Sequence, residues 1–283
     1  VGFLGITAPP ELGGAGLDVL SAALVGQAMG RYNHAVALSW GAHENLTLNN
    51  ILRNGTPEQC ARFIPEMCAG RMVGALGLTE PGAGSDALSS MRTRAVRDGD
   101  HYVLNGRKLW ITNGPIADVV FVCAKTSPER GAHGITAFFV ESGSPGFSVA
   151  QNIRKMGFRG SPTGELLFDD CRVPVENRLG PEDGGVGIVM SGLDLERAFL
   201  AALAVGMGER ALELELDYSR QREQFGQPIA CFQLIQAKLA DMYTALPGGQ
   251  ADGDRSGHQR GPPAHHRRGA AAPLTRDALQ SRP

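Results

Sequence analysis

Along residues 17–70 apolar positions recur three and four apart, the spacing of an amphipathic helix. "LDVLSAALVGQAMGRY" and "AVALSWGAHENLTLNNILRNG" each predict one helical stretch, and "TPEQCARFIPEMCAG" opens on Thr56 as N-cap with Pro57 at the first helical position and Gly70 near the stop. From about residue 71 the period changes to two. "MVGALGLTE", "MRTRAVRDGDHYVLNGRKLWITNG", "VVFVCAKT", "GITAFFVE", "FSVAQNI" and "ELLFDDCRVP" are short, rich in β-branched and aromatic residues and separated by Gly, Asp, Asn and Pro, which predicts strands, with "RDGDHYVLNG" as a hairpin. Helical spacing returns at about Gly185, runs through Arg220, and resumes after the turn "REQFGQPIA" in "CFQLIQAKLADMYTAL". The order helices, strands, helices predicts an α+β chain rather than an alternating α/β sheet. Its parts are an N-terminal helical domain (1–70), a central antiparallel β sandwich or barrel (71–178) and a C-terminal helical domain (179–246).

One helical stripe is interrupted. Val186, Val189 and Leu193 lead to either Glu196 or Arg197, and then to Leu200, Leu203 and Met207. A carboxylate on an apolar stripe loses solvation, which raises its pKa and strengthens it as a base once water is excluded, while Arg197 beside it would keep it partly ionised. A structural ion pair at a helix contact, or a rotation that lets both charges snorkel outward, accounts for the same spacing.

Composition adds boundaries. The 283 residues are 42% apolar and 20% charged with a formal net charge of -2, the profile of an ordinary globular protein with no reason to propose a nucleic-acid or membrane surface. The five cysteines, Cys60, Cys68, Cys123, Cys171 and Cys231, have no metal-ligand or redox spacing and read as reduced thiols in a cytosol-like compartment, with no metal site. No apolar run reaches the roughly 18 residues that cross a bilayer, and no basic-then-apolar signal segment opens the chain. The sequence starts at Val1, already inside a patterned segment, which reads as part of a longer protein.

Residues 247–283 hold no aromatic, valine or isoleucine and are predicted to be a disordered or non-native tail, with His265, His266, Arg267 and Arg268 as solvated charge. So abrupt a change has the form that a reading-frame shift in a GC-rich gene produces.

Candidate chemistry lies in three further places. "LGLTEPGAGSD", residues 76–86, sets Thr79 and Ser85 hydroxyls beside Gly82 and Gly84, whose bare backbone lets a phosphate or flat heterocycle approach; a plain turn explains it equally. "LWITNG" ends a strand with Trp110, Thr112 and Asn113, and a strand-end tryptophan is as readily a core residue. His43 in "WGAHENL" is a lone helical histidine and is assigned no role.

Taken in order, "GITAP", "GGAGL", "GAHENL", "LTEPGAGSD", "LNGRKLWITNG", "GITAFFVE", "SGLDLER" and "REQFGQPIACFQLIQAKLADMYT" resemble the acyl-CoA dehydrogenase family over residues 1 to about 246, and within it most closely the isovaleryl branch. The resemblance implies a helical, β, helical fold and a homotetramer. It implies FAD held by Leu76, Leu78, Thr79, Gly84 and Ser85 and flanked by Trp110, Ile111 and Thr112, with Arg222 and Gln233 reaching the FAD of a neighbouring subunit. Ser85, Asp194, Leu195, Glu196 and Arg197 would line the acyl-CoA site.

The implied activity is α,β-dehydrogenation of a short branched acyl-CoA, isovaleryl-CoA to 3-methylcrotonyl-CoA in leucine catabolism, with electrons passed to an electron-transferring flavoprotein. Glu196 stands where isovaleryl and long-chain types carry the catalytic base. A citronellyl-CoA type dehydrogenase, an acyl-CoA oxidase and an inactive truncated fragment are the alternatives. The implied location is the cytoplasm of a bacterium or the mitochondrial matrix of a eukaryote.

Overall fold

A computed structural model describes residues 2–255, and for 247–255 the backbone alone. Helix α1 (Val19–His43) starts at Asp18, whose carboxylate accepts the Ser21 N–H at 2.8 Å. It breaks at Asn33 (φ -151°, ψ 87°), where the side-chain oxygen caps a fresh helical start by accepting the Val36 N–H. That break separates the two helical stretches read from the sequence. One π-helical turn, Glu44–Leu48, follows without interruption and leads into α2 (Asn49–Asn54). Helix α3 (Pro57–Cys68) carries the predicted cap at Thr56, closed reciprocally by Gln59.

The strands are β1 (Gly74–Gly77), β2 (Arg94–Asp98), β3 (His101–Thr112), β4 (Val119–Lys125), β5 (Ile135–Glu141), β6 (Phe147–Asn152), β7 (Thr163–Pro174) and β8 (Arg178–Leu179), with the short helix α4 (Ala87–Ser90) between β1 and β2. They form one sheet in the order β6-β7-β3-β2-β4-β5-β8, with β1 beside β4. Most pairs are antiparallel, as expected. The departures both involve β4: β1 runs parallel to it from Gly74↔Val119 to Gly77↔Val122, and β2 meets it in parallel at Arg94↔Lys125. Two strands intervene between β1 and β4 in the chain, long enough a connection for parallel pairing.

Strands β4 and β5 are buried on both faces, and their two-residue period divides them between two cores. Val119, Phe121, Cys123, Ile135, Ala137 and Phe139 face the π turn, helices α2 and α3 and helix α5 (Gly185–Gln221) through Leu48, Ile51, Phe63, Ile64, Met67 and Val189. Val120, Val122, Ala124, Phe138 and Val140 face Tyr102, Leu104, Leu166, Phe168 and Val173 inside the strand domain. The helices therefore close one face of the sheet, and any group between helix and sheet is withdrawn from water.

Two compact units divide the chain, Val1–Ala204 and Val205–Pro283, and α5 (Gly185–Gln221) runs through the boundary. The first unit joins the N-terminal helices, the strands and the first half of α5, because the core facing the helices draws on all three. The second holds the β9 (Glu223–Gln224) and β10 (Gln227–Pro228) hairpin and α6 (Gln233–Arg255). Helix α6 continues past Leu246, where the tail was expected to begin, to Arg255; the remainder of that expectation, including His265 to Arg268, lies outside the described residues. Among the described residues no helix is long and apolar enough to cross a membrane, and no cluster could hold a metal ion.

Candidate active site

On α5 the inward stripe is Ile188, Val189, Glu196, Phe199 and Leu203, so the interruption is resolved in favour of Glu196, while Leu200 is 38% exposed. Glu196 is 6% exposed, and its Oε2 accepts one hydrogen bond, from the Asn45 side-chain amide at 3.0 Å. Burial raises the carboxyl to about 7, and the Asn45 hydrogen bond opposes that rise only in part.

Arg197 is not its partner. The guanidinium pairs with Asp194 at 2.6 Å, and the two side chains are 61% and 71% exposed. Neighbouring positions on a helix point about 100° apart, so one of Glu196 and Arg197 must leave the stripe. The expectation that Arg197 holds Glu196 ionised is therefore corrected. A neutral amide takes that place.

The second part is the loop after β1. Lys108, fully buried in β3, donates from Nζ to the Leu78 carbonyl at 3.1 Å and to Glu80 Oε1 at 2.8 Å, and the Leu109 N–H donates to the Thr79 carbonyl at 2.8 Å. Glu80 also accepts from the Arg92 and Thr93 N–H groups and the Thr93 hydroxyl. Burial pushes the Glu80 carboxyl up, but the Lys108 charge and these donors outweigh it and hold it below the usual range. The loop is thus tied at Leu78, Thr79 and Glu80 alongside β3. Beyond the ties, Gly82 and Gly84 face open space, and the hydroxyls of Thr79, Ser85 and Thr112 make no hydrogen bond among the described residues.

Immediately after the tie, β3 bulges between Lys108 and Ile111, and Trp110 takes a left-handed backbone (φ 63°). Trp110 is 57% exposed, so the core reading of this tryptophan is replaced by a solvent-facing one. A bulky residue at positive φ costs on the order of 1–3 kcal/mol and is kept where the surroundings enforce it, commonly at binding sites. Ile111 points the opposite way, 2% exposed in the strand core, so only its backbone faces the loop side.

Ser39 to Asn45 of α1 and the π turn link the two parts. On the strand side, the Asn113 amide donates to the Ser39 carbonyl at 2.8 Å and the Gly74 carbonyl at 3.2 Å, and the Gly74 N–H donates to His43 Nδ1 at 3.1 Å. On the α5 side, Trp40 packs on Phe199 at 5.2 Å between ring centroids, and Asn45 reaches Glu196. Segment 110–113 and Glu196 therefore flank one short stretch of α1. His43, given no role, is buried, held neutral by burial with a pKa of about 4, and its Nε2 has no hydrogen-bond partner among the described residues.

Other candidates sit apart from this grouping. Leu76 and Leu78 pack on the helix-facing core, Leu195 is half-buried, and Ser85 is exposed at the turn before α4. Arg222 and Gln233 lie in the second unit, both exposed, one before and one after the β9–β10 hairpin. Sequence reasoning missed Asn45, Glu80 and Lys108. A signal existed for Lys108: it shares the even phase of β3 with the buried Tyr102 and Leu104, so alternation alone turns it inward, where a lysine demands a carboxylate. Asn45 had no such signal, because the π turn changes the helical phase where it occurs.

Family models described as the acyl-CoA dehydrogenase N-terminal, middle and C-terminal domains match residues 1–71, 75–171 and 183–259. The chain belongs to the acyl-CoA dehydrogenase family. It is 52% identical over 242 residues to a mitochondrial 2-methylacyl-CoA dehydrogenase of Solanum tuberosum, a match covering 86% of this chain and 58% of that protein. It is 50% identical over 248 residues to a mitochondrial isovaleryl-CoA dehydrogenase of Pongo abelii, covering 87% and 58%. The chain thus spans 58% of the length of these curated relatives.

Among solved structures, butyryl-CoA dehydrogenase from Megasphaera elsdenii superposes with a TM-score of 0.86 at 42% identity, over 90% of this chain and 67% of the other. An acyl-CoA dehydrogenase of Bacillus anthracis complexed with FAD superposes with a TM-score of 0.85 at 41% identity, over 90% and 44%.

Proposed function

We propose that this acyl-CoA dehydrogenase chain belongs to an enzyme that introduces an α,β double bond into a short branched acyl-CoA, with isovaleryl-CoA as the first substrate to test and Glu196 as the base. The observation that carries the reading is Glu196 itself, buried and raised to about 7 by burial. An ordinary solvated carboxylate is too weak a base for the α proton of a thioester, and a base is most effective when its pKa lies near the working pH. The base position on α5, which the resemblance gives to the isovaleryl and long-chain types, and the names of the two curated relatives support a branched acyl chain.

The residues present fit FAD. An outward-turned Trp110 provides a flat apolar wall beside a loop whose glycines leave space and whose hydroxyls are unpaired. Leu76 to Ser85 and Trp110 to Thr112 would hold it in this chain, with Arg222 and Gln233 reaching a neighbouring copy in a tetramer. FAD, when bound, supplies the acceptor for the hydride that leaves the substrate β carbon. Glu196 takes the proton from the α carbon, and the helices that cover the sheet keep water from competing for that proton. An electron-transferring flavoprotein receives the electrons, in the bacterial cytoplasm or mitochondrial matrix according to source.

Anaerobic addition of isovaleryl-CoA to the purified chain tests the reading by bleaching of bound flavin. Rapid bleaching that Glu196→Gln abolishes supports it, and equal bleaching by the variant removes the base assignment. A colourless chain that takes up no FAD favours the non-catalytic fragment. A panel with 2-methylbutyryl-CoA, citronellyl-CoA and oxygen separates the acyl chains and the oxidase.

A further inference from the structure

Among the described residues, the one hydrogen bond to the Glu196 carboxylate comes from a residue to which the sequence reading gave no role. Asn45 lies in the π turn, is 2% exposed, and sends its amide to Oε2; Glu196 Oε1 accepts no hydrogen bond among the described residues. Three consecutive residues of this segment are buried and serve three different neighbours. His43 Nδ1 accepts from Gly74, the Glu44 carboxylate accepts from Gly5 and Thr7, and Asn45 donates to Glu196. In a regular helix three successive side chains fan over about 200°, so all three tasks depend on a segment enclosed on several sides and locally rewound. Single π turns inside α-helices are frequent at functional sites.

We infer that Asn45 is a positioning residue for Glu196: its amide fixes Oε2 and leaves Oε1 as the oxygen that receives a proton. This rests on Glu196 being the base proposed above. Among the described residues no charged group shifts the carboxylate; burial and the Asn45 amide alone do so. From α1, Gly41 approaches so closely that an added Cβ would lie 3.5 Å from Oε1, and Trp40 packs on Phe199 of α5, one turn from Glu196. Glu44 turns toward Gly5 and Thr7, and Asp194 and Arg197 pair with each other at the surface.

A neutral donor is suited to this task. An amide stabilises the carboxylate modestly and fixes its rotamer, whereas a guanidinium would favour the charged form so strongly that the carboxylate would become a poor base. The single donor therefore sets orientation without removing basicity.

The test follows the Glu196 carboxyl directly. Infrared titration of the purified chain, with Glu196→Gln subtracted, should give a midpoint near 7. In Asn45→Ala, loss of a hydrogen bond to a charged group should raise it by about one to two pH units. An unmoved midpoint in folded Asn45→Ala overturns the inference. If that variant does not fold, Asn45→Asp takes its place: a near-isosteric carboxylate should also drive the midpoint up and make the titration biphasic, and a single midpoint still near 7 overturns the inference. In chain that binds flavin, kcat should fall at least about tenfold with KM unchanged, as expected for lost orientation. The midpoint shift reports Asn45 control of Glu196 whatever the outcome of the Glu196→Gln bleaching test, so failure of the base assignment and failure of this inference are told apart.

Discussion

Two carboxylates of the first unit are equally hidden, Glu80 and Glu196, each 6% exposed, yet their chemistry is opposite. Glu80 meets a buried ammonium, two backbone N–H groups and a hydroxyl, and stays ionised. Glu196 meets one amide and is poised near neutrality. Glu44 shares features of both: burial raises it, and several backbone and hydroxyl donors but no cation oppose that rise. Burial alone therefore does not make a base. What decides is whether the site returns the solvation it removes, and with what charge. Glu80 is fastened and holds a loop, whereas Glu196 is left with basicity to use.

The largest effect expected from breaking this contrast is on turnover. Glu196→Gln keeps the shape and removes the proposed base, and flavin bleaching by acyl-CoA in stopped flow should slow about 100- to 10,000-fold. Next comes the Glu80 side. Lys108→Met leaves a buried charge without its partner and should cost about 3–5 kcal/mol in urea unfolding, with part recovered on adding Glu80→Gln. A full loss in the double variant equal to that in the single one would show that the Lys108 stem, not its charge, supports the loop.

The third effect carries a sign. Glu196 has a folded pKa of about 7 against an ordinary value of 4.5, so between these pH values the folded state holds the extra proton. Stability contributed by this group is present below the unfolded value and is lost as pH rises through the folded one, about 3 kcal/mol in all. Glu196→Gln should therefore stabilise the chain at pH 8, with the gain shrinking toward zero near pH 4.5, read from thermal midpoints across pH. Smallest of all, Arg197→Ala removes an exposed pair and should change stability by less than about 0.5 kcal/mol while leaving the Glu196 midpoint in place. A large shift would restore Arg197 as a partner.

Much of this was legible beforehand because it depends on local period. The Thr56 cap, the break between Tyr32 and Ala35, the run of strands and the interrupted stripe on α5 all follow from residue order. The choice between Glu196 and Arg197 was not legible, since both positions border the stripe and only the path of α1 across α5 selects one. Trp110 misled for a related reason: a strand predicts an inward or outward tryptophan by counting, and the bulge between Lys108 and Ile111 breaks the count. Lys108 was legible by phase, but its partner Glu80 lies far along the chain in a loop with no period.

Residue order by itself determined the kinds of element, their sequence along the chain and the presence of a carboxylate where apolar side chains belong, because helical and strand periods are set by neighbours within a few positions. Only tertiary structure decided what that carboxylate becomes. Its basicity depends on which donor arrives from a distant helix and on how much water is excluded. Asn45 comes from 151 residues away, through a π turn whose phase no local period specifies.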